Sequence, residues 1–166
     1  MFIGILSDTH GYLDPKLFDF FAPCDEVWHG GDWGSYEETA VKLKAFKPLR
    51  GVYGNIDGQD IRIEYPERLV FEVEGVKVFI THIGGYPCHY SAGIMPILVQ
   101  EKPKLFICGH SHILKVMRDE KLNNMLHINP GAAGVHGFHK VRTAIRLHIE
   151  AGRMHGLEVM ELGSRV

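Results

Sequence analysis

The chain has 166 residues, 45% of them hydrophobic and 23% charged, with 18 Lys+Arg against 20 Asp+Glu and a formal charge of −2. That length fits one domain spanning 1–166, and the composition excludes disordered and fibrous classes. The lack of a basic surplus argues against a stable nucleic-acid partner, and a chain this long buries roughly 70% of its unfolded surface, so any metal it holds serves chemistry rather than folding.

Taken in order, Phe2–Ser7 is a continuous apolar run, the pattern of a strand buried on both faces. It is too short for a membrane span and has no basic leader, so neither a signal peptide nor a membrane partner is expected. Asp14-Pro15 is an N-cap followed by a first-turn proline and opens a short helix with Leu17, Phe18, Phe20 and Phe21. Glu26–His29 predicts a second strand. Ser35 caps a helix from Tyr36 to about Phe46, and Leu49–Tyr53 predicts a third strand. After residue 68 strands dominate: Leu69–Val73, Val76–Thr81, Leu105–Cys108, Leu114–Met117, Met125–Ile128, Arg142–Ile149 and Met154–Glu161. One helix is expected around 90–101, weakened by Pro96, and 64–68 is expected to be a solvated loop. The three cysteines, Cys24, Cys88 and Cys108, form no CxxC pair and suit a reducing, cytoplasmic setting. The chain reads as one α/β domain that begins with βαβ units and ends with antiparallel strands.

Five of these strands end on chemistry-bearing residues. The ends read Asp8-Thr9-His10, Gly30-Gly31-Asp32, Gly54-Asn55-Ile56-Asp57, His82 and Gly109-His110-Ser111-His112. The steps between positions 8, 32, 55, 82 and 110 are 24, 23, 27 and 28 residues, each about one strand plus a return connection. In sheets wound this way the C-terminal strand ends gather at one crevice, where ligands bind. The glycines before Asp32, Asn55 and His110 are expected to let the backbone turn sharply. A set of carboxylates, one amide and four imidazoles without thiolate suits Mn²⁺, Fe²⁺, Zn²⁺ or Mg²⁺ and excludes a Cys-rich structural zinc. Seven ligands exceed the needs of one ion and divide naturally over two, an arrangement that clamps a phosphoryl group for in-line displacement.

Asp8-x-His10, Gly31-Asp32, Gly54-Asn55-x-Asp57, His82 and Gly109-His110-x-His112 resemble the ordered motifs of the calcineurin-like metallophosphoesterases. The length and Asn129-Pro130-Gly131 resemble that family's small, uncapped bacterial and archaeal phosphodiesterase branch. The resemblance implies a four-layer α/β/β/α sandwich and a phosphoesterase that hydrolyses phosphodiesters through a metal-bridging hydroxide. It places Asp8, His10, Asp32 and His112 on one metal, and Asp32, Asn55, His82 and His110 on the other, with Asp32 bridging. Asp57 would support catalysis by orienting its neighbours. The implied cofactors are two divalent ions, Mn²⁺ first, with Fe, Zn, Ni or Mg as alternatives. The implied partner is a small phosphate ester, and a homodimer or larger homo-oligomer stays open.

Two positions depart from the family pattern. Ile56 stands where many relatives carry a histidine thought to protonate the leaving group, and Ile83 where many carry glycine. Asn55 and Trp33 are candidate substrate contacts, although Trp33 could equally cover the core. Of the eleven histidines, His29 is expected to be packed inside its strand and His148 and His155 to lie on strand surfaces. His89, His127, His136 and His139 are at best rim residues. The rival class is a scaffold, since some relatives with this fold, including a retromer subunit, have damaged metal sites and act through protein contacts. Here all seven ligand positions carry competent side chains, which favours the enzyme.

Overall fold

A computed structural model describes residues 1–166 as two five-stranded sheets packed face to face. The first sheet has the order β12-β11-β1-β2-β3, built from β1 (Phe2–Leu6), β2 (Glu26–His29), β3 (Leu49–Gly51), β11 (Val141–Glu150) and β12 (Arg153–Ser164). The second has the order β4-β5-β8-β10-β9, built from β4 (Arg68–Val73), β5 (Val76–Thr81), β8 (Leu105–Ile107), β9 (Leu114–Asp119) and β10 (Met125–Pro130). β1, β2 and β3 run parallel, as do β5, β8 and β10, while the outer pairings are antiparallel. All five motif-bearing strands therefore end on parallel ladders.

Three apolar clusters hold these layers. Between the sheets lie Ile3, Ile5 and Ile145 from one side and Ile80, Ile107 and Ile128 from the other, all fully buried. Helices α1 (Pro15–Phe21), α2 (Lys42–Phe46) and α3 (Gln59–Glu64) cover the first sheet through Leu17, Phe21, Leu43 and Ile61. Helix α4 (Ile94–Glu101) covers the second through Ile94 and Leu98 against Phe79 and Phe106. Three buried layers of this kind are what an α/β/β/α sandwich requires.

Local signals explain most of these elements. Asp14 caps α1 by accepting from the Lys16 N–H at 2.9 Å, with Pro15 at the first helical position. The Ser35 hydroxyl accepts from Glu38 N–H, and one π turn over Glu37–Val41 leads into α2. Pro96 falls in the first turn of α4, where a missing N–H costs nothing. Four elements lie outside the sequence expectations: α3, whose N-cap Gly58 offers no side chain, the paired strands β6 (Gly85–Tyr86) and β7 (His89–Tyr90), and a 3₁₀ turn over Glu120–Leu122. Residues 64–68 are not a free loop either. Glu64 ends α3 in an ion pair with Lys44, and Arg68 opens β4.

Candidate metal centre

The structure brings Asp8, His10, Asp32, Asn55, His82, His110 and His112 to one rim. The first sheet supplies Asp8, His10, Asp32 and Asn55, and the second supplies His82, His110 and His112. Two groups of three converge, Asp8–His10–His112 and Asp32–His82–His110, with the ligand-type atoms of each within 4.8 Å of one another. The groups interlock. Asp32 Oδ2 lies 3.1 Å from His82 Nε2 and 3.7 Å from His10 Nε2, and Asp8 Oδ1 lies 3.2 Å from His112 Nε2 and 3.9 Å from His82 Nε2. Asn55 Oδ1 sits 3.0 Å from His110 Nδ1.

The backbone at this rim is unusual. Asp8, His10, Asp32, His110 and His112 all have left-handed φ, between +46° and +70°. Non-glycine residues avoid that region, and strain of this sort persists where the surroundings over-determine it, typically at functional sites. Of the three glycines expected to supply sharp turns, only Gly31 has a positive φ, +101°. Gly54 and Gly109 are glycine because a Cβ would overlap Asp32 at the first and Ser7 and Asp8 at the second.

Asp57 anchors the arrangement from behind. Its carboxylate accepts from the Asp32 N–H at 3.0 Å, the Gly54 N–H at 2.7 Å and the Gly34 N–H at 3.1 Å, stitching the second motif loop to the third. Burial raises its carboxyl above the usual range despite these donors. His29 is buried as expected. Its Nδ1 accepts from the Gly31 N–H, so its other ring nitrogen carries the proton toward Thr9 Oγ1 at 3.0 Å.

Two expectations fail. Trp33 does not wall a substrate cleft: it is fully buried, stacked between His29 and Tyr65, and donates its indole N–H to the Val52 carbonyl at 2.8 Å. His127 is no rim residue: it lies buried within β10, where burial and then the charge of Lys115 push it down to about 4. His89 packs on Tyr86 in the β6–β7 pair. His136 and His139 do reach the rim, with His136 5.2 Å from the His10 ring and His139 Nδ1 3.1 Å from His112 Nδ1. His148 and His155 stack on each other across β11 and β12.

The donor set fits divalent cations. Asp8 Oδ1, His10 Nε2 and His82 Nε2 are buried at the centre of the cluster and have no hydrogen-bond partner, which is costly unless a cation satisfies them. Burial lowers the pKa of His10, favouring the neutral imidazole that coordinates metal. Burial would lower His82 as well, but Asp32 and Asp8 outweigh it and raise it, so a cation there competes with a proton. A cleft of about 400 Å³ opens above the cluster, walled by Ile56, Ile113, His136 and Phe138. A second cleft of similar size shares Asn55 with it and carries Tyr53, Arg62, Glu67, Arg68 and His82.

Known proteins share this architecture. A "Probable metallophosphoesterase" of Mycoplasma pneumoniae is 31% identical over 163 residues, covering 92% of each chain. The crystal structure of Entamoeba histolytica Vps29 complexed with zinc superposes with a TM-score of 0.73 at 17% identity, covering 98% of this chain and 100% of that one. An archaeal phosphodiesterase superposes with a TM-score of 0.70 at 23% identity, covering 96% and 100%. At those identities the two structures establish the fold alone. The model of the calcineurin-like phosphoesterase superfamily domain matches residues 1–152, which takes in every strand-end motif, and the chain belongs to that superfamily.

Proposed function

We propose that the chain is a metal-dependent phosphodiesterase, a single catalytic domain over residues 1–166 that holds two divalent ions. The observation that carries this reading is the pair of interlocked ligand groups with three buried polar atoms left for a cation. Asp8, His10, Asp32 and His112 would hold one ion, and Asp32, Asn55, His82 and His110 the other. Asp32, whose Oδ2 lies 3.7 Å from His10 and 3.1 Å from His82, would serve both ions. Bound there, such ions supply Lewis acidity and an activated water at neutral pH.

The chain's own residues set the rest. Asp57 holds the Asp32 and Gly54 amides so that both loops keep their ligands aimed inward. Asn55, between the two clefts, is positioned to touch the phosphoryl group. The first cleft exposes Ile56, which is 48% exposed, where an imidazole would protonate a departing alkoxide. The enzyme would therefore favour esters whose leaving groups need no proton, with His136, which lines the same cleft, as an alternative acid. In the second cleft Arg62 is fixed by the Asp57 carbonyl at 2.6 Å and by the Tyr53 ring, and neither it nor Arg68 has a carboxylate within ion-pair distance. Both suit an anionic substituent on the ester.

The test is metal analysis followed by turnover of bis-p-nitrophenyl phosphate and p-nitrophenyl phosphate, after chelation and after return of Mn²⁺, Zn²⁺ or Mg²⁺. Diester hydrolysis that vanishes on chelation and returns with an ion supports the reading. Full activity in metal-depleted protein overturns it. A scaffold reading draws on the exposed apolar rim of Ile56, Ile113 and Phe138. Bound metal without turnover of any ester would favour it.

A further inference from the structure

The loop after β10 carries a histidine that the sequence motifs leave without a role. His139 approaches His112 with its rings at 72° and 5.0 Å between centroids, bringing the two Nδ1 atoms to 3.1 Å. On its other side His139 Nε2 lies 2.9 Å from the Gly134 carbonyl. A carbonyl only accepts, so His139 Nε2 carries a hydrogen and donates it. A neutral imidazole has one N–H, which leaves His139 Nδ1 as an acceptor. Its neighbour must then donate, so His112 is protonated at Nδ1 and bears its lone pair at Nε2. Nε2 and Asp8 Oδ1, 3.2 Å apart, are then two acceptors facing each other within the first ligand group, an opposition that only a cation between them relieves. The reverse arrangement would set a lone pair against the Gly134 carbonyl or require a second proton on His139.

We propose that His139 is a positioning residue that fixes the His112 tautomer and aims its Nε2 at a metal ion. The brace closes on itself, because the Gly134 N–H donates to the Asp8 carbonyl at 3.1 Å. Asp8, Gly134, His139 and His112 thus form one ring of contacts around the first ligand group. Two further features hold it. Gly137, at φ +128°, lets the loop pass over His112, and any Cβ there would overlap His112 Nδ1. From the end of β12, Arg165 donates to the His139 carbonyl through Nε at 3.2 Å and to the Lys140 carbonyl through its N–H at 3.1 Å. Carbonyl or carboxylate partners on the free nitrogen of a ligating histidine typically contribute 10–100-fold in metal affinity. Here a second imidazole takes that place.

The inference rests on the metal-binding reading, and the test separates the two. Mn²⁺ and Zn²⁺ titrations of the whole protein would compare the natural chain with His139→Ala and His139→Gln. We expect His139→Ala to weaken one of two sites by about 10–100-fold and leave the other unchanged. His139→Gln, whose amide oxygen accepts from His112 Nδ1–H, should restore most of that loss. Long-range ¹H–¹⁵N NMR of metal-free protein at about pH 8, above the imidazole range, should show His112 protonated at Nδ1 in the natural chain and shifted toward Nε2–H in His139→Ala. Natural affinity in a folded His139→Ala, or a His112 tautomer that does not respond, overturns the inference. So does a folded His139→Gln as weak as the alanine variant. A natural chain that binds no metal would instead overturn the functional reading, while the tautomer measurement would still decide the brace.

Discussion

The body of the two sheets and the rim at their strand ends follow opposite rules. Between the sheets Ile3, Ile5, Ile80, Ile107, Ile128 and Ile145 are fully buried on regular ladders. A few residues on, the same strands run into five left-handed non-glycine residues and a knot of acids and imidazoles with unpartnered buried atoms. The body minimises its local energy. The rim gives up backbone comfort and hydrogen bonds to point polar atoms at one spot. A buried core of this extent can carry that cost.

The sharpest way to break this contrast is at Asp32. Asp32→Ala should reduce diester turnover by at least about 10³-fold, remove bound metal, and leave the far-ultraviolet spectrum and urea midpoint nearly unchanged. Two ions retained in that variant would contradict the bridging role. The converse is a cut in the body. Ile128→Ala should cost about 2–5 kcal/mol in urea unfolding while metal content per folded molecule stays at its natural value.

Asp14 tests whether a polar group in the body obeys the body's rule. Burial alone would raise its carboxyl, but the Lys16 N–H and Arg142, whose Nη1 lies 2.7 Å away, outweigh it and hold it below the usual range. A depressed carboxylate contributes stability above its unfolded pKa and loses it as pH falls through the folded value. Asp14→Asn should therefore cost about 2–4 kcal/mol at neutral pH. The gap to the natural chain should close below about pH 4, as measured by urea unfolding across pH. A gap independent of pH would assign the effect to shape rather than charge.

The mildest expected change concerns backbone strain at the rim. At His110, with φ +70°, alanine keeps the strained conformation and glycine relieves it. His110→Gly should be more stable than His110→Ala by about 1 kcal/mol, although both lose the ligand. Equal stabilities would mean that the rim stores no strain there.

These two regions also differ in how far the sequence discloses them. The strand bodies are legible because a run such as Phe2–Leu6 has one stable home, a strand covered on both faces. The rim residues are legible because each follows such a strand within a few residues. Helix α3 leaves little trace in the sequence because it buries Ile61 alone and has a glycine at its N-cap. Trp33 misleads because a side chain next to a ligand can point away from it, and the direction is set by His29 and Tyr65 packing on its two faces. His139 is invisible in the sequence for another reason. It meets His112 across 27 residues of loop and strand, with no periodicity to link them.

The place of β1 in its sheet has a consequence for how the protein is made. Its parallel neighbour β2 follows within about twenty residues, but its antiparallel neighbour β11 pairs Phe2 with His148, and the first amino group meets the Ile149 carbonyl at 2.7 Å. At translation rates of about 5–20 residues per second, β1 waits roughly 7–30 s for that partner. A nascent chain can hold Asp8 and Asp32 near each other early, yet the sheet that carries them lacks two of its five strands until β11 and β12 leave the ribosome. The first polar group of the rim waits as well, because Asp8 and His10 meet His112 only after about a hundred further residues have been made.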